Sequence, residues 1–141
     1  MNRLVIDASV AVKWFLPESL EESDAGKAVT LLLKGAEGAV TFLQPPHWTA
    51  EVAAVLARKL SATAADNIDE LLTLDFVTVV QEATVYRRAI DLAQAMQHHL
   101  FDTLYHATAL EYQTTLITAD RRYYDKAHHL GGIVMLQNVE D

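Results

Sequence analysis

The chain contains no cysteine. That excludes a disulfide framework, a thiolate zinc site and a cysteine nucleophile, so any metal has to be held by oxygen or histidine. Long apolar runs are missing too, and none approaches the ~20 residues a membrane span needs. The start, Met1-Asn2-Arg3-Leu4-Val5-Ile6-Asp7, reaches a charge after three apolar residues, too soon for a signal peptide. These absences lead us to expect a soluble, cytoplasmic protein with no membrane partner. No repeat, linker or low-complexity tract interrupts the sequence, so one domain is expected over residues 1–141. Basic residues are scarce: 11 Lys and Arg stand against 19 Asp and Glu, a net charge of −8. This argues against a generic nucleic-acid binder, whose affinity comes from neutralising phosphates with Lys and Arg. The objection weakens where acids act as metal ligands, because bound cations reverse the local sign.

What is present is a chain of 141 residues that is 51% hydrophobic with a mean hydropathy of +0.10, enough to bury a sizeable core. Its apolar segments alternate in type. Strands are expected at Arg3 to Asp7, Ala39 to Leu43, Phe76 to Val80, Thr115 to Thr118 and Ile133 to Leu136. Between them, helices are expected at Ala8 to Phe15, from the capping box Ser19-Leu20-Glu21-Glu22 to about Lys34, at His47 to Leu60 after Pro45-Pro46, and at Ser61 to Leu74. Further helices are expected at Glu82 to Gln97, Asp102 to Tyr112 and Arg121 to His129. Gly35 with Gly38, and Gly131-Gly132, read as turns. Strands separated by helices make parallel pairing through right-handed crossovers the expected topology, an α/β fold.

Four acids sit where these segments change: Asp7 at the end of the first strand, Glu51 at the start of a helix, Asp102 heading another, and Asp120 just after a strand. Strand ends and helix starts are where an α/β sheet gathers side chains into one crevice. Each acid also has an ordinary explanation. Asp7, Asp102 and Asp120 stand where a helix N-cap is preferred, and Glu51 is a first-turn acid favoured by the helix dipole. Capping does not explain why Asp7 and Asp120 share one edge of a parallel sheet, or why Glu51 lies beside the apolar stripe Trp48, Val52, Val55. Converging, the four make an oxygen-rich pocket suited to a hard divalent cation. Ser9 and Thr118 place hydroxyls within two residues of an acid and are expected as supporting polar groups.

The segments Val5-Ile6-Asp7-Ala8-Ser9-Val10-Ala11-Val12-Lys13-Trp14-Phe15, Ala50-Glu51-Val52, Phe101-Asp102-Thr103-Leu104-Tyr105-His106-Ala107-Thr108-Ala109 and Leu116-Ile117-Thr118-Ala119-Asp120-Arg121-Arg122 together resemble the successive signatures of PIN-domain ribonucleases, closest to VapC-type toxins of toxin–antitoxin pairs. The resemblance covers essentially the whole chain in order. It implies a PIN-like three-layer α/β/α sandwich with a mainly parallel central sheet. It implies that Asp7, Glu51, Asp102 and Asp120 form the catalytic quartet holding Mg²⁺ or Mn²⁺, with Ser9 and Thr118 beside them. It also implies an RNA substrate, a homodimer and a small antitoxin partner. With such ligands, water on the metal deprotonates readily for in-line attack on phosphorus, and a second ion about 4 Å away would stabilise the leaving oxygen. The expected products carry 5′-phosphate and 3′-hydroxyl ends.

Candidate RNA-contacting residues are Lys13, Arg121 and Arg122, with Arg58-Lys59, Arg87-Arg88 and Lys126 as further basic positions; a solvated helix face is the more ordinary explanation of each such pair. His106, four residues past Asp102, is read as a half-buried histidine rather than a partner of the site, Asp125 as a solvated acid, and the pairs His98-His99 and His128-His129 as surface. A haloacid-dehalogenase-type phosphatase would need an Asp where Ser9 stands, and a response-regulator receiver would need an acidic neighbour for Asp7. The remaining alternative is a catalytically silent PIN-like module that binds RNA or protein.

Overall fold

A computed structural model of the protein describes residues 2–16 and 24–140. Five strands, β1 (Asn2–Ile6), β2 (Val40–Gln44), β3 (Val77–Val79), β4 (Thr115–Thr118) and β5 (Ile133–Met135), make one sheet in the order β3-β2-β1-β4-β5. Every pairing is parallel, with Leu4 opposite Phe42 and Thr115, Phe42 opposite Val77, and Leu116 opposite Ile133. The pattern follows from composition. Val5, Ile6, Phe42, Leu43, Leu116 and Ile117 are all buried, as expected where a central parallel strand is covered on both faces. The edge strand β3 leaves Thr78 and Val79 exposed.

Helices fill the connections: α1 (Ala8–Ala11), α2 (Ala25–Ala36), α3 (Trp48–Lys59), α4 (Ala64–Leu72), α5 (Ala83–Met96), α6 (Leu100–Glu111) and α7 (Arg121–Ala127). From β1 the chain steps outward to β2 and β3, then crosses back to β4 and β5 on the other side. With right-handed crossovers, the first excursion places α1–α4 on one face and the second places α5–α7 on the other. The result is an α/β/α sandwich. Its topological switch point lies between β1 and β4, where ligand crevices of open parallel sheets form.

Several expectations shift in detail. The helix expected over Ala8 to Phe15 divides into α1 and a 3-10 turn, Val12–Trp14. There Trp14 packs against Phe42 and Trp48 and donates its indole N–H to the Ala28 carbonyl at 2.8 Å. The capping box at residues 19–22 lies outside the described residues. Gly35 is not in the turn: it is buried inside α2, where a Cβ would come within 2.4 Å of the Phe76 ring, so a close helix–sheet approach requires it. Gly38, at φ 80°, makes the turn. No helix among the described residues is long and apolar enough to cross a membrane.

Candidate active site

The topology fixes where the acids stand. Asp7 follows the last residue of β1 and Asp120 comes two residues after β4, neighbouring strands that run in the same direction. Glu51 lies in the first turn of α3, which follows β2, and Asp102 lies in the first turn of α6, where it lines one hollow with Asp120 and its charge acts on Asp7. Asp102 is not a cap. It is the third residue of α6, whose N-cap is His99, so the helix begins two residues earlier than the sequence led us to expect.

Asp7 and Asp120 do cap. Asp7 Oδ1 accepts the Ser9 N–H at 3.1 Å and Asp120 Oδ1 accepts the Tyr123 N–H at 3.1 Å. Capping and site membership can coexist, because each carboxylate oxygen has two lone pairs and a cap takes only one of the four. Thr118 bridges the two acids: its hydroxyl donates to Asp7 Oδ2 at 2.8 Å and accepts the Asp120 N–H at 3.0 Å. Ser9 Oγ accepts the Ala119 N–H at 3.1 Å, tying the start of α1 to the end of β4. Both hydroxyls thus act on the loops that carry the acids.

Burial pushes the Asp7 carboxyl from 3.8 up to about 6, against the pull of the Ser9 and Thr118 hydrogen bonds, and the charges of Asp102 and Asp120 push the same way. The same three aspartates, after burial, raise the Tyr123 hydroxyl above its ordinary range. Asp7, Asp102 and Asp120 are thus a mutually repelling group at the switch point. Glu51 stands to one side. Burial acts to raise it, yet hydrogen bonds from His47 and Tyr105 leave it below the usual carboxylate range. The Tyr105 hydroxyl donates to Glu51 Oε1 at 2.5 Å, and His47 Nε2 lies 3.4 Å from the same oxygen. Tyr105 itself is raised by burial, then by its bond to Glu51 and by the charge of Asp7.

Asp102 has a partner that sequence reading missed. His98 Nε2 lies 2.7 Å from Asp102 Oδ2, and its ring packs edge-on against Tyr123 at 5.0 Å. Its side chain is 6% exposed, so the expectation of a surface residue is corrected. That expectation assumed helical spacing for the His98-His99 pair. Instead, Gln97 at φ 51° reverses the chain after α5, and both histidines lie in the link to α6. An ammonium has only donors, so Lys126 Nζ, 3.2 Å away, gives its hydrogen to His98 Nδ1. This leaves Nε2–H to donate to Asp102. His99, His128 and His129 are exposed, as expected.

His106 is fully buried rather than half-buried, and it faces away from Asp102. Its Nε2–H donates to the Gly131 carbonyl and its Nδ1 accepts the Tyr123 hydroxyl, both at 2.8 Å. Burial lowers its pKa, which keeps it neutral in this bridge. Asp125 is exposed. Of the basic candidates, Arg121, Arg122, Arg58, Lys59, Arg87 and Arg88 are exposed, whereas Lys13 is buried, with 9% of its surface open, and lines a small hollow with Arg121 and Ala119. Arg122 and Lys126 join His98, His99, Asp102 and Asp120 around a hollow of about 370 Å³. A larger one, about 610 Å³, lies at the opposite edge of the sheet, lined by Arg3, Lys34 and Gln113, and holds none of the four acids.

The donors fit a hard cation: carboxylate oxygens in negative excess, one raised toward neutrality by burial and, less, by its acidic neighbours. Among the described residues, however, no three Asp, Glu or His side chains stand close enough to close on one ion.

Comparison with known proteins agrees with this architecture. The chain is similar to a toxin–antitoxin complex from Klebsiella pneumoniae at TM-score 0.64 and 18% identity, covering 96% of this chain and 99% of that one. It is also similar to Mycobacterium tuberculosis VapC20, a Sarcin-Ricin loop cleaving toxin, at TM-score 0.65 and 14% identity over 86% of this chain and 93% of the other. No curated protein matches the sequence significantly. Over residues 4–129 the sequence matches the PIN domain, and the chain belongs to that family.

Proposed function

We propose that this chain is a metal-dependent endoribonuclease, the toxin of a toxin–antitoxin pair held in check by a small antitoxin, and that it acts as a homodimer in the cytoplasm. The observation that carries the proposal is the repelling group Asp7, Asp102 and Asp120 at the β1/β4 switch point, with Asp7 pushed up to about 6. PIN-family membership and the likeness to a chain of a toxin–antitoxin complex and to a toxin support the same reading. In it, Asp7, Asp102 and Asp120 hold Mg²⁺ or Mn²⁺, and Glu51 joins them by exchanging its bonds to Tyr105 and His47. The bound cation supplies Lewis acidity to the scissile phosphate and lowers the pKa of the attacking water.

The protein's own groups set the geometry. Thr118 fixes Asp7 against Asp120, His98 fixes Asp102, and Tyr105 keeps Glu51 pointed across the crevice. Arg121 and Arg122, exposed beside Asp120, and Lys126 a turn later supply the phosphate contacts that the overall charge of −8 otherwise denies. The hold of Tyr105 and His47 on Glu51 favours one competing reading, a silent PIN-like module that binds without cutting. Purified protein with end-labelled RNA separates them. Cleavage in Mg²⁺ or Mn²⁺ that stops in EDTA and leaves 5′-phosphate ends is the expected result. RNA or antitoxin binding with no metal-dependent cleavage would establish the silent module.

His98 provides a second test of the metal reading. Its N–H orients one Asp102 oxygen, and partners that orient metal ligands are worth about 10- to 100-fold in metal affinity. His98→Leu should weaken Mn²⁺ binding in calorimetry by that factor, and His98→Gln, which keeps an N–H at the same reach, should recover most of it. Unchanged Mn²⁺ affinity in His98→Leu would reduce the histidine to a packing role.

A further inference from the structure

Of all the phenylalanine, tyrosine and tryptophan residues, only Phe101 is exposed, with 58% of its surface open, and it directly precedes Asp102 in the first turn of α6. An apolar ring left in water at the mouth of a polar crevice is an informative exception. The ring is also fixed. One side stacks on His47, centroids 5.2 Å apart and planes 27° apart, and His47 Nε2–H donates to the Phe101 carbonyl at 2.8 Å. His47 in turn leans on Tyr105 at 4.7 Å, and Tyr105 is bonded to Glu51. The three rings form a column whose inner end touches an acid of the site and whose outer end, Phe101, is largely open to solvent. Asp102 and Asp120 line the hollow that also holds Arg122 and Lys126. Asp102 therefore stands between the ring of Phe101, its neighbour in α6, and a hollow that carries two cationic side chains.

We propose that Phe101, backed by His47, is a stacking ledge for one unpaired nucleobase beside the scissile phosphate. The proposal rests on the ribonuclease reading and names the side chain that takes the base. Bases inside an A-form helix are stacked on their neighbours and cannot offer a face, whereas unpaired bases in loops, bulges and ends stack on aromatic side chains without sequence preference. A strand crossing the acids then sets its phosphates toward Arg122 and Lys126 and one base on Phe101. The rigid column limits the ordering that binding demands, which favours affinity.

The test compares the parent with Phe101→Trp and Phe101→Ala on a short unstructured RNA, on the same sequence in a duplex, and on a version with one abasic nucleotide next to the cleavage point. Phe101 is exposed, so Phe101→Ala is expected to melt as the parent does. Losing one stacked base corresponds to roughly 5- to 150-fold in affinity. Phe101→Ala should raise KM for the unstructured RNA by that factor with kcat little changed, Phe101→Trp should restore it, and the duplex should resist cleavage by the parent. The abasic substitution should raise KM for the parent but not for Phe101→Ala, since the stack is already gone. If the parent cuts and Phe101→Ala has an unchanged KM, the ledge falls while the ribonuclease reading stands. If Phe101→Ala instead turns a dimer into a monomer in light scattering at unchanged KM, the ring is a subunit contact and the ledge is overturned. If the parent neither cuts nor binds RNA, both readings fall together.

Discussion

In EDTA the protein should lose stability as pH rises from about 4 to about 7, and Asp7→Asn should remove that loss. Burial, together with the charges of Asp102 and Asp120, holds the Asp7 carboxyl at about 6 in the fold, against 3.8 as its ordinary value. Between those values the native state binds more protons than the unfolded chain, so stability falls with rising pH. The contribution of Asp7 is fully present below pH 4 and is lost as pH passes through 6. The size is up to about 3 kcal/mol, reduced by the solvent that reaches one side of the half-buried carboxylate. Asn keeps the shape, can still accept the Ser9 N–H, and carries no charge. Asp7→Asn should therefore melt roughly 5–10 °C above the parent at pH 7 and alongside it near pH 4. Mn²⁺ should offset the parent's loss by mass action, by ~2.7 kcal/mol at a hundredfold excess over its dissociation constant, and do little for the variant. Under the proposed metal role of Asp7, the same variant should cut RNA slower by orders of magnitude, since one ligand of the cation would be missing. A parent whose melting temperature is flat from pH 4 to 7, or an Asn variant less stable at neutral pH, would make Asp7 a helix cap and nothing more.

Placing all four acids on one edge of the sheet needed only local signals. Leu4-Val5-Ile6 and Leu116-Ile117 read as buried strands because each is a continuous apolar run, and a helix on either side of such a run makes parallel pairing the economical topology. Once the strands are parallel, residues after a strand and in the first turn of a returning helix share one edge. The way the acids are held there was less legible. His98 reaches Asp102 because Gln97 takes a left-handed conformation that ends α5, and nothing in the surrounding sequence announces it. Tyr105 reads as one apolar position on a helix, and its bond to Glu51 spans 54 residues. Thr118 and Asp7 meet across 111 residues, and there a signal did exist, since a hydroxyl at a strand end beside an acid is a sequence feature. His106 shares a helical face with Asp102 by spacing, yet its ring is claimed by Tyr123 and Gly131, partners that belong to the fold and not to the pattern.

Gln44 shows how far a site residue can depend on a side chain that carries no chemistry. It ends β2, is fully buried, and its amide lies against the backbone of Ile6: Oε1 accepts the Ile6 N–H at 2.9 Å and Nε2 donates to the Ile6 carbonyl at 2.7 Å. The side chain thus does for Ile6 what a neighbouring strand's peptide would do, and Ile6 is the residue that delivers Asp7. On its other side the chain is tied by the Asp7 N–H to the Ile117 carbonyl at 3.1 Å. Gln44→Leu fills the same space but leaves a buried donor and a buried acceptor unpaired, a loss of about 2–5 kcal/mol. Gln44→Glu retains an acceptor for the Ile6 N–H but, when ionised, has no donor for the carbonyl and places a charge in the core, so it should be at least as destabilising. Chemical denaturation should show the midpoint falling in both variants with an unchanged slope, the sign of lost stability without a changed unfolded state. At temperatures where Gln44→Leu remains folded, its cleavage should also fall, because the end of β1 that sets Asp7 against Thr118 has lost one of its two ties. A Gln44→Leu protein as stable as the parent would mean that water or a shifted strand satisfies Ile6, and that Asp7 is held from the β4 side alone.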